Sequence, residues 1–166
     1  MNSKILKKKQ KKMKQVFLKA LSTKDINICL NKFNHFIGAF AADEVFLKNS
    51  KLPQSFVINT DNKSESGEHW TALIIEQNNK VLFFDPLGCQ LLNNYVLTQI
   101  KKIGIKKYIY NSQQIQPINS NGCGFYCIAF IIAFHYNISY SKFLKMFSMT
   151  TSKNDNICFE FIDKFI

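Results

Sequence analysis

The sequence predicts an α+β fold with a central, mostly antiparallel sheet, and three observations support it. Residues 55–60 (SFVINT), 69–76 (HWTALIIE) and 80–85 (KVLFFD) are short apolar runs of strand composition, grouped in the middle of the chain. Segments with helical apolar spacing lie before them, at 16–33, and after them, at 95–103, 140–147 and 157–165. Residues 116–134 (QPINSNGCGFYCIAFIIAF) pass from a polar, glycine-flanked loop into an almost wholly apolar stretch, the mark of a buried helix. Strands gathered together, with helices on either side in sequence, define the class.

At 166 residues, with 46% hydrophobic residues and sixteen Phe, the chain suits one compact domain, expected over residues 16–166. Residues 1–15 read as a basic arm. Residues 1–24 hold nine Lys and no acid (+9), whereas residues 25–166 hold thirteen Lys against eleven Asp plus Glu (+2). The run that includes Lys7, Lys8, Lys9, Lys11 and Lys12 can neutralise nucleic-acid phosphates. It is equally what AT-rich coding yields in a chain without Arg and rich in Lys, Asn, Ile and Phe.

Lys19 interrupts the first apolar patch, Val16, Phe17 and Leu18, so no secretory signal is expected. The apolar run 124–134 is shorter than the roughly 20 residues a membrane span needs. The five cysteines, Cys29, Cys89, Cys123, Cys127 and Cys158, are odd in number and lack paired metal-site spacing. Neither a zinc site nor a disulfide framework is suggested, and a reducing, intracellular setting fits.

In chain order, 16–33 reads as helix with a break and new cap at Ser22 or Thr23. Residues 36–45 (FIGAFAADEV) read as closely packed backbone running into a short helix at Asp43 and Glu44. The strand at 55–60 and an exposed loop at 61–68 precede a hairpin made of 69–76 and 80–85, stopped by Pro86-Leu87-Gly88. The helix at 95–103 and a strand at 107–110 (KYIY) lead to the loop that begins near Gln116.

Cys123 stands at the first turn of the apolar helix. Unpaired N–H groups and the positive end of the helix dipole favour a thiolate there and can later hold an oxyanion. Gly122 and Gly124 leave the sulfur open to a peptide backbone. A thiol nucleophile also needs a base. Of three histidines, His35 lies in a helix-loop region and His135 about three turns down the helix, too far to touch the sulfur. His69, where a polar loop enters a strand, is the best candidate.

Asp85 ends the partner strand and could orient the imidazole. Register decides whether it can. With Gln77, Asn78 and Asn79 as the loop, Thr71 faces Asp85, and His69 and Asp85 are diagonal neighbours on one face; a two-residue Asn78-Asn79 turn puts them on opposite faces. Gln116 could donate its amide to an oxyanion beside the Cys123 N–H. Trp70 would wall the cleft.

The combination of FVINT, Gly67-Glu68-His69-Trp70, FFDPLG, Gln116 and Cys123-Gly124 resembles the adenovirus maturation protease family, and more distantly the proteases of ubiquitin-like modifiers. The resemblance implies a papain-like catalytic core in His-Asp-Cys order, with His69 as base, Asp85 as orienting acid, Cys123 as nucleophile and Gln116 as oxyanion donor. It further implies a monomeric endopeptidase acting on viral precursor proteins, cutting after small residues such as Gly. Its setting would be the host nucleus or cytoplasm and the virion, with no cofactor for the chemistry.

The family carries Glu at the Asp85 position. Its activators are DNA and a viral peptide, the peptide held through a cysteine between the post-hairpin helix and the oxyanion Gln. No cysteine lies between Cys89 and Cys123 here, which argues against a covalent peptide link and leaves DNA compatible with the lysine arm. The same residues would also serve deconjugation of a ubiquitin-like modifier or acetyl transfer from coenzyme A. A non-enzymatic DNA-binding protein is the remaining alternative.

Overall fold

The structure is a computed structural model describing residues 19–45, 47, 52–78, 80–90, 93–105 and 108–166. The basic arm, with Lys7, Lys8, Lys9, Lys11 and Lys12, lies outside the described residues. The first helix, α1 (Thr23–Leu30), starts where the sequence offers its cap: Ser22 Oγ accepts from the Asp25 N–H, and the Asp25 carboxylate accepts from the Ser22 N–H, a reciprocal capping box.

Strands β1 (Phe36–Phe40), β2 (Gln54–Asn59), β3 (Trp70–Ile75), β4 (Val81–Phe84) and β5 (Tyr108–Tyr110) form one sheet in sequential order. The central ladders, β2 with β3 and β3 with β4, are antiparallel, and the outer ladders that add β1 and β5 are parallel. The sheet is therefore mixed around an antiparallel centre. Helix α2 (Asn94–Lys102) follows β4, and α3 (Cys123–His135), α4 (Tyr140–Leu144) and α5 (Asn154–Ile162) follow β5.

Side chains alternate across the strands, and both faces are covered. Val57, Ala72, Ile74, Leu82 and Phe84 pack on α3, together with α1 and α5. Phe56, Ile58, Leu73, Ile75, Val81 and Phe83 pack on the other side with Val96 and Ile100 of α2. This two-sided burial explains why β2, β3 and β4 are near-continuous apolar runs. It also explains why α3 is apolar all round, since it is wrapped by the sheet and by α1 and α5.

One expectation is corrected. Residues 36–40 form an edge strand, and only Ala42–Glu44 coil into a 3-10 turn. The alanines conceal the strand from propensity, and a bulge between Phe36 and Gly38 breaks its alternation. Gly38, at φ +154°, has a backbone that L side chains rarely adopt, and a Cβ there would lie 2.7 Å from the ring tip of Phe40, which would have to move.

Candidate active site

Three elements deliver the polar groups. Loop 61–68 is folded by Asp61, whose Oδ2 accepts from the Gly67 and Glu68 N–H groups at 3.1 Å each. The Thr60 N–H donates to the His69 carbonyl at 2.8 Å, extending the β2–β3 ladder one step so that His69 is fixed at the sheet end. The hairpin takes the register of the three-residue connection. Ala72 pairs with Phe84 and Ile75 with Val81, and the Glu76 N–H donates to the Lys80 carbonyl at 2.9 Å. His69 and Asp85 then share a face, and His69 Nε2 lies 2.7 Å from Asp85 Oδ1.

Asp85 is held from several directions. Its Oδ1 also accepts from the Leu87 N–H at 2.7 Å, while its backbone N–H and carbonyl both bond to the buried Asn111 side chain. The turn that follows packs tightly: Gly88 has φ +77°, and a Cβ there would sit 2.7 Å from the Gln113 carbonyl carbon. Only glycine lets this turn lie against the segment that leads from β5 to Gln116. The Ile115 and Gln116 N–H groups both donate to the Pro86 carbonyl, tying the Asp85 turn to the Gln116 loop.

Cys123 opens α3, with Gly122 as N-cap. Burial raises its thiol, and this is outweighed by a hydrogen bond to His69, backbone hydrogen bonds from Trp70 and Gly124, and the nearby imidazolium, so the net shift is downward. Burial likewise works against the His69 imidazolium, but the hydrogen bonds and negative charges of Asp85 and Cys123 push it up to about 9. The opposite shifts describe a thiolate–imidazolium pair. In the other four cysteines burial leads and the thiol is raised, so Cys123 alone is prepared to ionise.

The sulfur faces a cleft of about 490 Å³, walled by Leu21, Ser22, Asn59, Glu68 and Trp70. The Trp70 indole N–H is pinned to the Leu21 carbonyl at 2.8 Å. The space that Gly124 leaves is filled by Leu21, whose Cβ would be 3.1 Å from an added Cβ, so the missing side chain lets residues 21–26 pack closely on α3. The sequence signalled only a packing role for the α1 region, yet its entry segment forms part of the cleft.

Gln116 is buried, and its Nε2 donates to the Ser120 carbonyl at 2.6 Å. One of the two Nε2 hydrogens is thereby committed. Its Oε1 is buried without a protein partner. Sequence reasoning missed Asn111 and Asp155. Asp155 Oδ1 accepts from Ser120 Oγ at 3.1 Å and from the Tyr126 hydroxyl at 2.9 Å, fixing the loop that enters Cys123. His35 and His135 lie together at the other end of α3, their rings 5.4 Å apart, and burial holds His35 at about 4. Among the described residues there is no group of three or more His, Cys, Asp or Glu placed to hold a metal ion, and no helix long and apolar enough to cross a membrane.

The model of the adenovirus endoprotease family matches residues 36–158. The chain belongs to this family. Within it, the protease of ovine adenovirus D serotype 7 is 32% identical over 130 residues, 68% of this chain and 63% of that protein. The protease of bovine adenovirus 7 is 29% identical over 134 residues, 71% of this chain and 66% of that protein. The chain thus spans a little under two thirds of the length of these relatives.

Two solved structures share the fold. A crystal structure of an ASFV protease aligns with TM-score 0.55 at 17% identity, covering 86% of this chain and 66% of that one. The central domain of an uncharacterized Legionella pneumophila protein aligns with TM-score 0.53 at 13% identity, covering 87% and 94%. The span matched by the family model, residues 36–158, includes the hairpin, His69, Asp85 and the helix that Cys123 opens.

Proposed function

We propose that the chain is a cysteine endopeptidase that cleaves precursor capsid or core proteins of a virus or virus-like mobile element. The observation that carries this reading is the 2.7 Å contact of His69 Nε2 with Asp85 Oδ1, beside a Cys123 thiol that the same imidazole shifts downward. Membership of the adenovirus endoprotease family supports it.

The Cys123 thiolate attacks the scissile carbonyl carbon, and the displaced electron pair moves onto oxygen. The Cys123 N–H and the Gln116 amide face that oxyanion. On collapse the C–N bond breaks, and His69 gives its proton to the departing amine. Water then surrenders a proton to His69 as it attacks the thioester, which releases the acid and restores the ion pair. Asp85 keeps the ring oriented and charged throughout. Trp70 and Leu21 wall the cleft that receives the acyl side of the substrate, and the family resemblance implies small residues, Gly above all, before the cut.

A peptide vinyl sulfone tests the reading. It is expected to label Cys123 alone, and Cys123→Ala is expected to lose all peptide turnover. Labelling elsewhere, or a fully active Cys123→Ala variant, overturns it. In the same reading the enzyme works as a monomer inside the infected cell and the virion, and the basic arm contacts nucleic acid through Lys7, Lys8, Lys9, Lys11 and Lys12. Duplex DNA should then stimulate turnover in a salt-sensitive way that is lost on deleting residues 1–14.

A further inference from the structure

A second cavity, of about 420 Å³, lies beside the His69–Asp85 pair and shares Asn59 with the cleft into which Cys123 opens. Its apolar walls are Ile58, Phe83, Leu87 and Val96. The wall at its mouth is tied together: Asn93 caps α2 by accepting from the Tyr95 and Val96 N–H groups, and its Nδ2 donates to the Thr60 carbonyl at 3.3 Å. The end of β2 and the start of α2 are thus held at a set distance across the opening, with Cys89 exposed at the rim.

Resting on the cysteine-peptidase reading, we propose that this cavity is a specificity site for an apolar side chain on the leaving-group side of the scissile bond. The chemistry divides the substrate at the imidazole. The acyl half stays on the Cys123 sulfur, in the cleft walled by Trp70, while the amine half takes its proton from His69. The leaving segment must therefore pass the ring, and the ring lines the second cavity whereas the sulfur does not. Apolar walls favour Leu, Ile, Met or Phe and disfavour an acidic side chain, which would lose its water and enter beside the Asp85 carboxylate. An apolar occupant also excludes water from the His69–Asp85 contact, where a drier environment strengthens the attraction.

The test is digestion of a proteome-derived peptide library by the full chain, with the new N-termini identified by mass spectrometry. Enrichment of large apolar residues at the first or second position after the cut is expected, with kcat/KM about tenfold above the matched Ala peptide. Val96→Phe fills the cavity from its floor, and Cys89→Trp blocks the exposed rim without touching the core. Each is expected to lower the apolar peptides to the Ala level while the vinyl sulfone still labels Cys123. Cleavage with no preference after the cut, or a preference unchanged in both variants, overturns the proposal. If neither cleavage nor labelling of Cys123 occurs, the peptidase reading itself fails and takes this site with it.

Discussion

Asn111 and Asp85 exchange two hydrogen bonds: the Asp85 N–H donates to Asn111 Oδ1 at 3.0 Å, and Asn111 Nδ2 donates to the Asp85 carbonyl at 2.6 Å. The side chain of one residue thus mimics a strand partner for the backbone of the other. The same Nδ2 donates to the Gln113 carbonyl at 3.0 Å, and the Tyr140 hydroxyl reaches Oδ1 at 3.2 Å. Asn111 is buried, so these bonds have no solvent substitute.

Asn111→Ala is expected to destabilise the fold by about 1–3 kcal/mol, because the Asp85 backbone groups lose their partner in a buried place. Asn111→Asp retains the acceptor but sets a carboxylate against two carbonyl oxygens, so it should be no better. Chemical denaturation measures the stability, and kcat/KM on the folded fraction shows whether Asp85 has lost its hold on His69. A stability unchanged in both variants contradicts the assignment.

The pH profile of turnover should be bell-shaped, because the reactive state needs Cys123 ionised and His69 protonated. The acid limb reports protonation of a thiol held below its ordinary value, and the alkaline limb reports loss of the His69 proton near about 9. Asp85→Asn removes the negative partner and should move the alkaline limb downward. Stability follows the same group: with its folded value raised from 6.5 to about 9, the His69 contribution is complete below 6.5 and disappears as pH rises through about 9. An alkaline limb unmoved by Asp85→Asn would separate Asp85 from the imidazole in function.

Gln116→Ala should lower kcat by about 10²–10³, the usual loss for one oxyanion donor, with little change in KM. Gln116→Glu presents no amide hydrogens and is expected to be as poor. Gln116→Ala removes the unpartnered Oε1 but also the Nε2 bond to the Ser120 carbonyl, so a modest loss of stability, about 1–2 kcal/mol, is expected beside the kinetic loss. Steady-state kinetics beside a thermal melt separate the two effects. A lowered melting temperature with kcat intact on the folded fraction would make Gln116 a structural residue.

The part of the site that was legible in sequence is local in character. Cys123 follows a polar loop and precedes an apolar helix, and His69 and Asp85 end two adjacent strands, so short strings were enough to nominate them. Bringing them together depended on one uncertain step, the loop count at Gln77, Asn78 and Asn79, since a slip of one residue reverses the face of every side chain. Asn111 and Asp155 gave no such signal. Each is a single polar residue in a chain with many Asn and Asp, and the partners that tie it to the site lie 26 or more positions away. Strand β1 was hidden because Gly38 and the alanines have no strand preference, and its pairing with β2 is parallel and non-local. The wall formed by Leu21 and Ser22 was equally invisible, because it exists only where the chain crosses Trp70 and Gly124.

Asp155 is expected to position the oxyanion loop from a distance. Its Oδ1 holds Ser120 Oγ, which itself accepts from the Gly122 N–H at 3.1 Å, and the Ser120 carbonyl holds Gln116 Nε2. Its neighbour Asn154 clamps the start of the same loop, donating to the Ile115 carbonyl at 2.8 Å. Asp155→Ala breaks this chain of contacts between α5 and the residues before Cys123, and kcat should fall about tenfold with KM nearly unchanged. Asp155→Asn keeps an acceptor oxygen for Ser120 and Tyr126 and should restore most of the rate. The pH limbs should stay in place in both variants, because His69, Asp85 and Cys123 are held by other groups. If Asp155→Ala lowered stability alone, with kcat intact on the folded fraction, the contact would serve the helix packing and not the oxyanion.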